Sequence, residues 1–463
     1  MPSSKLLKNI SVINKISGNT SECDLVINTD SRKFNKGETF VALGGENFDG
    51  RQYIENVLSL GARAVVLVCD GDYELKLLSW ITVYPDAMFI CVTDTLKFIQ
   101  LLASLHILEW KNLNSNKKII GITGSNGKTT HKEMMSSVLQ KLFPEKVLST
   151  KGNLNNHIGV PLTIFGLAPK HDIAVIEMGM NHIGEIAELT AIAHPEHGMI
   201  TNIGPAHIEF MKSTENIFKE KSELYNSVLE NSKGQGIFVV NADDTYLARL
   251  PKSSGLSNYG EQNGDVKITI AIPQVELTVN GKKLLITNEN ISEHHNLKNL
   301  AGVALFALKL FPDKEQEILR AASEYTQPEM NRSQWVDNIF LDAYNANPSS
   351  MRTSINSFVA TMKAKNISLD ECYFVLGDMN ELGEFAPALH KEIAEHAKNI
   401  GIKNITFIGR FRKYYLDGFP NATSNFATKE EFYDAFKKIR KDFRFVFVKA
   451  SRSLQLESLL DIT

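Results

Sequence analysis

Short apolar runs separated by polar, helix-forming stretches recur along most of the chain. Runs with the length and β-branched content of buried strands lie at residues 39–43, 64–68, 119–123, 173–177 and 197–203. Helical stretches lie between them, one near residues 53–60 and another from Thr130 onward. Strands that alternate with helices predict a doubly wound, mostly parallel sheet.

The pattern changes twice towards the carboxyl end. Residues 264–288 alternate between apolar and polar positions, which predicts antiparallel hairpin strands, and a helix is predicted over 297–310. Further strands are predicted at 339–342, 373–377, 405–409 and 443–448. The polar segment 111–118 and a second break near residue 326 predict three α/β domains, namely 1–112, 113–326 and 327–463.

Composition places the chain among ordinary globular proteins. Its 463 residues are 43% hydrophobic and 22% charged, with a net charge of −3, so bulk charge indicates neither nucleic acid nor a membrane surface as a partner. Cys23, Cys69, Cys91 and Cys372 are far apart in the sequence, which favours neither a zinc site nor a disulfide framework. With no apolar signal region or membrane-spanning run, we expect a protein of the reducing cytoplasm.

The segment from Gly124 to Thr130, Gly-Ser-Asn-Gly-Lys-Thr-Thr, carries the strongest chemical signal. It follows a predicted strand and precedes a predicted helix, whose unpaired N-terminal amides favour anions. Lys128 adds a positive charge, and the Thr129 hydroxyl is placed to bind Mg²⁺ beside phosphates. The usual phosphate-loop pattern has glycine where Ile122 stands here. An ordinary strand–turn–helix connection is the alternative, but the segment favours a nucleotide triphosphate site.

Two polar residues follow neighbouring predicted strands. Ligands of open parallel sheets bind beyond the carboxyl ends of the strands. Glu177 closes one strand and could hold a hydroxyl-bound Mg²⁺, although a surface or capping glutamate is the alternative. His207 follows the next strand, and a lone histidine is more often structural. A crevice shared with Lys128 strengthens the functional interpretation of both.

Three other polar segments are undistinguished by composition. Residues 218–225 are a charged helical run and 296–299 resemble a helix start. Residues 342–348 are rich in turn formers and read equally well as a surface turn or as a contact from the third domain to a ligand of the second.

Taken together, these segments resemble the Mur ligase family over nearly the whole chain. The resemblance rests on residues 29–32, 45–50, 124–130, 152–161, 177–181, 202–207, 219–221, 295–299, 342–347, 376–383 and 449–453. The segments 45–50, 344–347 and 377–383 resemble the branch of the family that adds D-alanyl-D-alanine. The family's loop also lacks the first phosphate-loop glycine, so Ile122 is no departure.

The resemblance implies a role for each matching residue. Gly124, Ser125, Asn126, Gly127, Lys128, Thr129 and Thr130 would bind the ATP phosphates, and Asn299, Arg332 and Asp342 the rest of ATP. Thr129, Glu177 and His207 would bind two Mg²⁺ ions, supported by Lys221 as a carbamate. Lys128, Glu177, His207 and Lys221 would form the catalytic group. The UDP-muramyl substrate would lie along Ser31, Arg32, Asn153, Asn155 and Asn156, and the dipeptide near Asn345, Asn347, Ser451 and Arg452.

The implied reaction joins UDP-N-acetylmuramoyl-tripeptide to D-alanyl-D-alanine through an acyl phosphate, in peptidoglycan precursor synthesis. The alternatives are a sister ligase that adds a single amino acid or glutamate, and a nucleotide-binding regulatory protein without ligase activity. Nothing in the sequence requires more than a monomer, and the third amino acid of the tripeptide is not determined by it.

Overall fold

The computed structural model describes residues 1–45, 48–326 and 334–461. Its strands form three main sheets of five, nine and six strands, together with one two-stranded ribbon. This arrangement confirms the predicted α/β class, in which a large parallel-rich sheet is flanked by smaller α/β units.

The first sheet belongs to the N-terminal part of the chain. Its elements are β1 (Ile13–Gly18), β2 (Ile27–Asn28), β3 (Thr39–Val41), β4 (Gly44–Gly45), β5 (Phe48–Asp49), α1 (Ile54–Ser59), β6 (Ala64–Val68), α2 (Asp72–Val83), β7 (Met88–Val92) and α3 (Thr95–Lys111). The strand order is β1-β7-β6-β3-β2, and β1 is antiparallel to β7, while β4 and β5 form the separate ribbon.

The second sheet is the largest. Its elements are β8 (Lys118–Thr123), α4 (Lys128–Leu142), β9 (Val147–Ser149), α5 (Gly159–Ile164), β10 (Ile173–Glu177), α6 (Glu185–Ala193), β11 (His197–Ile200), α7 (Ile208–Met211), α8 (Thr214–Asn231), β12 (Phe238–Asn241), β13 (Leu256–Gly260), β14 (Val266–Ala271), β15 (Gln274–Val279), β16 (Lys282–Thr287), α9 (His294–Leu310) and α10 (Glu315–Ser323). Its order is β16-β15-β14-β13-β12-β11-β8-β10-β9. The antiparallel hairpins predicted for 264–288 are confirmed as β14–β16.

The third sheet closes the chain. Its elements are β17 (Gln334–Val336), β18 (Ile339–Asp342), α11 (Pro348–Ala364), β19 (Cys372–Gly377), α12 (Ala386–Asn399), β20 (Ile405–Ile408), α13 (Arg412–Gly418), β21 (Ser424–Phe426), α14 (Lys429–Asp442) and β22 (Phe445–Lys449). The order is β17-β18-β22-β19-β20-β21, parallel except for β17.

Strand β8 lies between β10 and β11 and is buried on both faces. Ile119 belongs to one apolar core, whereas Ile120 and Ile122 belong to the core on the opposite face, which includes α4 and α9. A strand covered on both faces reads as a continuous apolar run, which is why the sequence pattern identifies it. The loop after β8 is therefore held at the centre of the sheet.

Element ends differ from the predictions by a few residues. The helix predicted from Thr130 begins at Lys128, and the strand predicted over 197–203 ends at Ile200. Strands β9, β12 and β13 of the second sheet were not predicted, and neither were β1, β2, β4, β5, β7, β17 and β21. Most of them have two to five residues, and so short a run carries only a weak periodic signal.

The polar segment 111–118, predicted as a linker, is exposed over residues 112–116 and is anchored at its end. Lys117 is fully buried, and its Nζ donates to the carbonyl oxygens of Pro169 at 3.1 Å and His171 at 2.5 Å. Residues of the first sheet, α3 and the second sheet also share one apolar core. The boundary at residue 112, like the rest of the three-domain division, therefore remains a prediction.

The prediction about the cysteines is wrong, because Cys69 and Cys91 form a disulfide. Strands β6 and β7 are neighbours, Leu67 pairs with Cys91, and Cys69 follows the end of β6. Sheet pairing joins two residues that are 22 positions apart in sequence, and spacing alone does not reveal this. The cysteines therefore give no support for a reducing compartment.

Among the helices within the described ranges, none has the length and apolar character needed to cross a membrane.

Several buried histidines should make stability depend on pH. Burial lowers the pKa to about 3 for His197 and to about 4 for His106, His131, His295 and His390. An unfolded histidine binds a proton below about pH 6.5, so the unfolded chain binds more protons than the folded one between pH 6.5 and 4. As the pH falls from 6.5 to 4, we therefore expect the free energy of unfolding to decrease, by at most about 1.4 kcal/mol per pH unit for each histidine. Urea unfolding at pH 7.5, 6.5, 5.5 and 4.5 measures the change, and a midpoint constant down to pH 4.5 would contradict it.

Candidate functional site

The loop after β8 is a preformed anion cradle. Gly127 has φ of +75° and caps α4 without any side-chain hydrogen bond, so the first-turn amides of α4 keep no side-chain capping partner. Gly124 has φ of +155°, and a Cβ there would lie 1.8 Å from Oγ1 of Thr201. Both glycines are therefore required by the backbone. The amides and the macrodipole of α4 favour an anion at this point.

Residues after β11 hold the cradle in shape. The backbone amides of Ser125 and Asn126 donate to the carbonyl and side-chain oxygens of Asn202 at 3.0 and 2.8 Å. The Ser125 hydroxyl donates to the Gly204 carbonyl at 2.9 Å. Nζ of Lys128 donates to the Gly124 carbonyl at 2.8 Å. The cation thus rests on a neutral carbonyl of its own loop, and a phosphate oxygen would be a stronger partner.

The carboxylate of Glu177 lies beside the cradle, as its place at a strand end predicted. Its Oε1 accepts from the Thr129 hydroxyl at 3.1 Å and from Nδ2 of Asn155 at 2.8 Å. Its Oε2 is buried, and within the described part of the chain no hydrogen-bond donor reaches it. A buried, unpartnered carboxylate oxygen next to a hydroxyl is a donor set that suits a hard cation such as Mg²⁺.

Lys221 of α8 is fully buried and close enough to Lys128 for the two charges to interact. Burial, together with the charge of Lys128, lowers the pKa of its amine well below the usual value, although Glu220 opposes this. Among the described residues, Lys221 has no ion-pair partner within 4.0 Å. A lowered pKa leaves a larger neutral fraction of the amine, and only the neutral amine can react with an electrophile. Lys221 is not in the cavity wall described below.

His207, the second strand-end residue predicted from the sequence, lies in the loop between β11 and α7. It adopts φ of +57° and precedes α7. Its Nδ1 lies 2.5 Å from Oε2 of Glu381, a residue of the loop after β19 that also has a positive φ of +59°. The two atoms are close, although among the described residues Nδ1 has no acceptor aligned as a hydrogen bond requires. The contact with His207 lowers the pKa of Glu381. The predicted roles did not include Glu381.

The phosphate loop, Glu177 and His207 line one cavity of about 600 Å³, whereas Lys221 and Glu381 are not in its wall. The second and third sheets both contribute to its wall. The predicted residues that line it are Ser125, Asn126, Gly127, Lys128, Thr129, Thr130, Asn153, Asn155, Asn156, Glu177, His207, Asn299, Asp342 and Asn345. No group of three or more His, Cys, Asp or Glu residues suited to a metal occurs in the described ranges.

The wall around Asn299 contains several polar residues that sequence reasoning missed. Lys298 donates to Oδ2 of Asp243 at 2.5 Å, and Asp243 in turn accepts the backbone amides of the turn after β13. His295 contacts the Ser357 hydroxyl of α11 at 3.3 Å. Helix α9 thus connects the second sheet with the third. No sequence pattern predicted that Asp243 and Ser357 would be the partners of this helix.

The third sheet presents a buried ion pair to the cavity. Asp342 and Lys449 end the adjacent strands β18 and β22, and Nζ of Lys449 lies 2.7 Å from Oδ2 of Asp342. Lys449 also donates to the Asn345 carbonyl at 3.0 Å. Because Lys449 ends a strand, the rule that identified Glu177 could also have identified it.

Asn347 joins the two sheets directly. It caps α11 and donates from Nδ2 to Oδ1 of Asn126 at 2.6 Å. Ser451 is buried behind the cavity, where its hydroxyl donates to the Ala346 carbonyl at 3.3 Å. Arg452 points elsewhere and pairs with Glu457 at 2.5 Å.

The predicted substrate residues of the first sheet lie apart from the cavity wall. Ser31 and Arg32 form a short 3₁₀ turn, and Arg32 is exposed and bound to Asp30 at 2.8 Å. Arg332 lies outside the described residues. The structure therefore brings the predicted phosphate-loop residues and Glu177 together with Asp342 and Asn345 of the third sheet, but not with Ser31, Arg32 or Arg452.

Known proteins resemble this chain over nearly its whole length. The Mur ligase middle domain matches residues 122–307. UDP-N-acetylmuramoyl-tripeptide–D-alanyl-D-alanine ligase of Treponema pallidum is 32% identical over 452 residues, covering 94% of this chain and 92% of the relative. The enzyme of that name in Escherichia coli is 29% identical over 455 residues, covering 94% and 92%. A crystal structure of MurF from Acinetobacter baumannii has a TM-score of 0.81 at 27% identity, covering 96% and 94%.

The fold, the cavity and these relatives define the class of this protein: it is an ATP-dependent ligase that forms amide bonds. Within that class, the chain belongs to the Mur ligase family.

Asn299→Ala should weaken the use of ATP. The half-buried amide lines the cavity, and its loss should raise the KM for ATP about three- to tenfold while the overall fold is retained. Steady-state kinetics at varied ATP provides the measurement. Asn226→Ala, an exposed change on α8, is the control, and an unchanged KM in Asn299→Ala would remove the assignment to ATP.

Lys449→Met should destabilise the protein strongly. It leaves the largely buried Asp342 carboxylate without its cation, so we expect a loss of about 3 kcal/mol in the free energy of unfolding. Lys403→Met breaks a pair whose side chains are 70% and 60% exposed, and should cost less than about 1 kcal/mol. Equal losses in urea unfolding would contradict the importance of the buried pair.

Proposed function

We propose that the chain joins D-alanyl-D-alanine to UDP-N-acetylmuramoyl-tripeptide with hydrolysis of ATP to ADP and phosphate. The observation that carries this proposal is the near full-length similarity to relatives named for that reaction. The cavity supports it chemically, because it combines an anion cradle, a lysine and a carboxylate with groups from a third sheet. The product is a peptidoglycan precursor.

ATP would lie with its β- and γ-phosphates on the cradle. The loop Gly124–Thr130 and Nζ of Lys128 would bind the phosphates. Asn299 would contact the adenine, and Asp342, held by Lys449, would contact ATP from the third sheet. Arg332 is proposed for the same role from the family resemblance alone.

Two Mg²⁺ ions would fit beside the phosphates. Thr129 and the unpartnered Oε2 of Glu177 would hold the first, and His207 would help to hold the second. Mg²⁺ keeps several waters and phosphate oxygens as ligands, so it does not require a cage of three protein carboxylates. Bound there, the cations supply screening of negative charge.

We assign Lys221 as a carbamate. Its neutral amine would attack carbon dioxide, forming a nitrogen–carbon bond and releasing one proton, and the product is an anion. This change would replace a buried amine with an anionic group that Lys128 and the metal cations would attract. The lowered pKa of the amine makes the reaction accessible near neutral pH.

The chemistry needs activation because a carboxylate has no adequate leaving group. The terminal carboxylate of the tripeptide attacks the γ-phosphorus of ATP, and ADP leaves. The amine of the dipeptide then attacks the acyl phosphate, and inorganic phosphate leaves with the formation of the amide. Both reactants of the first step are anions, so Lys128 and the loop amides must reduce their repulsion.

The substrates would enter from two sides. Asn153, Asn155 and Asn156, with Ser31 and Arg32 further out, would lie along the UDP-muramyl chain. Asn345, Asn347, Ser451 and Arg452 would lie near the dipeptide. Splitting the sites among domains 1–112, 113–326 and 327–463 would require closure before reaction, which would also keep water from the acyl phosphate. A monomer acting in the cytoplasm, where ATP and UDP-linked precursors are available, is sufficient.

The decisive experiment measures the release of ADP and phosphate with each substrate omitted in turn. We expect turnover only when UDP-muramyl tripeptide and D-alanyl-D-alanine are both present. Turnover with a single amino acid in place of the dipeptide would support a sister ligase. ADP release that depends on neither acceptor would indicate a nucleotide-binding protein without ligase function. Either result would overturn the proposal.

A further inference from the structure

His131 follows the phosphate loop and has an unusual environment. It lies in the first turn of α4, is 2% exposed and still contributes to the cavity wall. Its Nδ1 lies 2.9 Å from the carbonyl oxygen of Gly127. A carbonyl can only accept a hydrogen bond, so Nδ1 carries the hydrogen and donates.

The second ring nitrogen of His131 is left without a partner. Nε2 is buried, and within the described part of the chain it has no hydrogen bond. Because the ring is buried without an acidic partner, it is neutral, and Nε2 is therefore an acceptor with a free lone pair. Buried polar atoms in native proteins are usually satisfied, so an unpartnered acceptor in a cavity wall points to a donor on the ligand.

The nucleotide offers few such donors. Phosphate oxygens carry no hydrogen near neutral pH, which leaves the ribose hydroxyls and the amino group of adenine. His131 lies one residue beyond Thr130, at the end of the segment proposed to bind phosphates, and Asn299 is the proposed contact of the base. The sugar connects these two parts of ATP, so its hydroxyls are the donors of ATP closest to the phosphates.

We propose that Nε2 of His131 accepts a hydrogen bond from a ribose hydroxyl of ATP and thereby selects ribonucleotides. The inference rests on the proposed binding of ATP in this cavity. His131 is thus a specificity-determining residue and takes no part in phosphoryl transfer. The Gly127 carbonyl fixes both the tautomer and the direction of the ring, so the phosphate loop and the sugar contact are built on the same backbone turn.

Calorimetric binding of ADP, 2′-deoxy-ADP and 3′-deoxy-ADP tests the proposal without requiring turnover. We expect the native protein to bind ADP about five- to twentyfold more tightly than one of the two deoxy analogues. His131→Leu should remove this preference by weakening ADP binding. His131→Gln, whose side-chain oxygen can accept, should keep part of it. His396→Leu, a change on α12, is the control and should keep it in full.

The outcomes distinguish this inference from the proposed function. If the native protein does not bind ADP at all, both fail. If it binds ADP and both deoxy analogues equally, or if His131→Leu keeps the native preference, only the ribose contact is wrong. Inosine diphosphate lacks the adenine amino group. If His131→Leu loses discrimination against inosine diphosphate but keeps discrimination against the deoxy analogues, the donor is the base, and the proposal is overturned. Thermal melting of each variant confirms that it is folded.

Discussion

Lys128→Ala should reduce ligation by about a thousandfold or more, because it removes the fixed cation at the point where two anions must meet. Nζ of Lys128 donates to the neutral Gly124 carbonyl, and a phosphate oxygen would be a stronger, charged acceptor. Amide formation, followed by mass spectrometry of the product and by phosphate release, measures the effect. The backbone of the loop should remain intact, because its shape depends on Gly124, Gly127 and the contacts with Asn202.

Lys141→Ala is the matched control for this change. Lys141 lies on the same helix, is 37% exposed and pairs with Glu324 at 2.8 Å. An exposed pair of this kind contributes little, so activity and melting temperature should stay near those of the native protein. Near-normal ligation by Lys128→Ala would refute its assignment to the phosphates.

Lys221→Ala should have the second-largest effect, with activity lowered by roughly a hundredfold or more if the carbamate supports the metal cations. The substitution removes the amine on which the proposed carbamate would form and leaves a buried space in its place. Short carboxylic acids such as acetate could occupy that space and restore part of the activity. Product formation with and without added acetate gives the measurement.

Lys219→Ala provides the comparison, since Lys219 is exposed and only two positions away on α8. It should remain active and should not respond to acetate. Spectroscopy with ¹³C-labelled carbon dioxide reports on the carbamate itself in the native protein. No labelled carbamate, together with no rescue of Lys221→Ala, would remove the claim.

The largest elements of the fold were accessible from sequence for a clear reason. Strands β8 and β10 are covered on both faces, and their continuous apolar runs stand out from the polar segments around them. The hairpins β14–β16 were identified by the alternation of a strand that is buried on one face. Strands β9 and β12, with three and four residues, were not predicted, although β11 and β18, also of four residues, were. Pairing with neighbouring strands gives β9 and β12 their places in the sheet.

In the candidate site, too, the residues predicted from sequence are those whose roles depend on their neighbours along the chain. The phosphate loop and Glu177 were identified locally, because a strand, a glycine turn and a helix start are consecutive in the chain. Glu381 and Lys298 were missed because their importance arises from contacts with residues distant in sequence. The disulfide between Cys69 and Cys91 was missed for the same reason.

The sequence by itself determined the α/β class, the position of the anion cradle and the strand-end residues that belong with it, since each depends on neighbours along the chain. Only the tertiary structure decided that, within the described part of the chain, Glu177 keeps an unpartnered oxygen and Nε2 of His131 lacks a donor, and that Lys221 is buried close enough to Lys128 for its pKa to fall. Burial and pairing are properties of packing between distant segments, and a linear pattern contains no record of them.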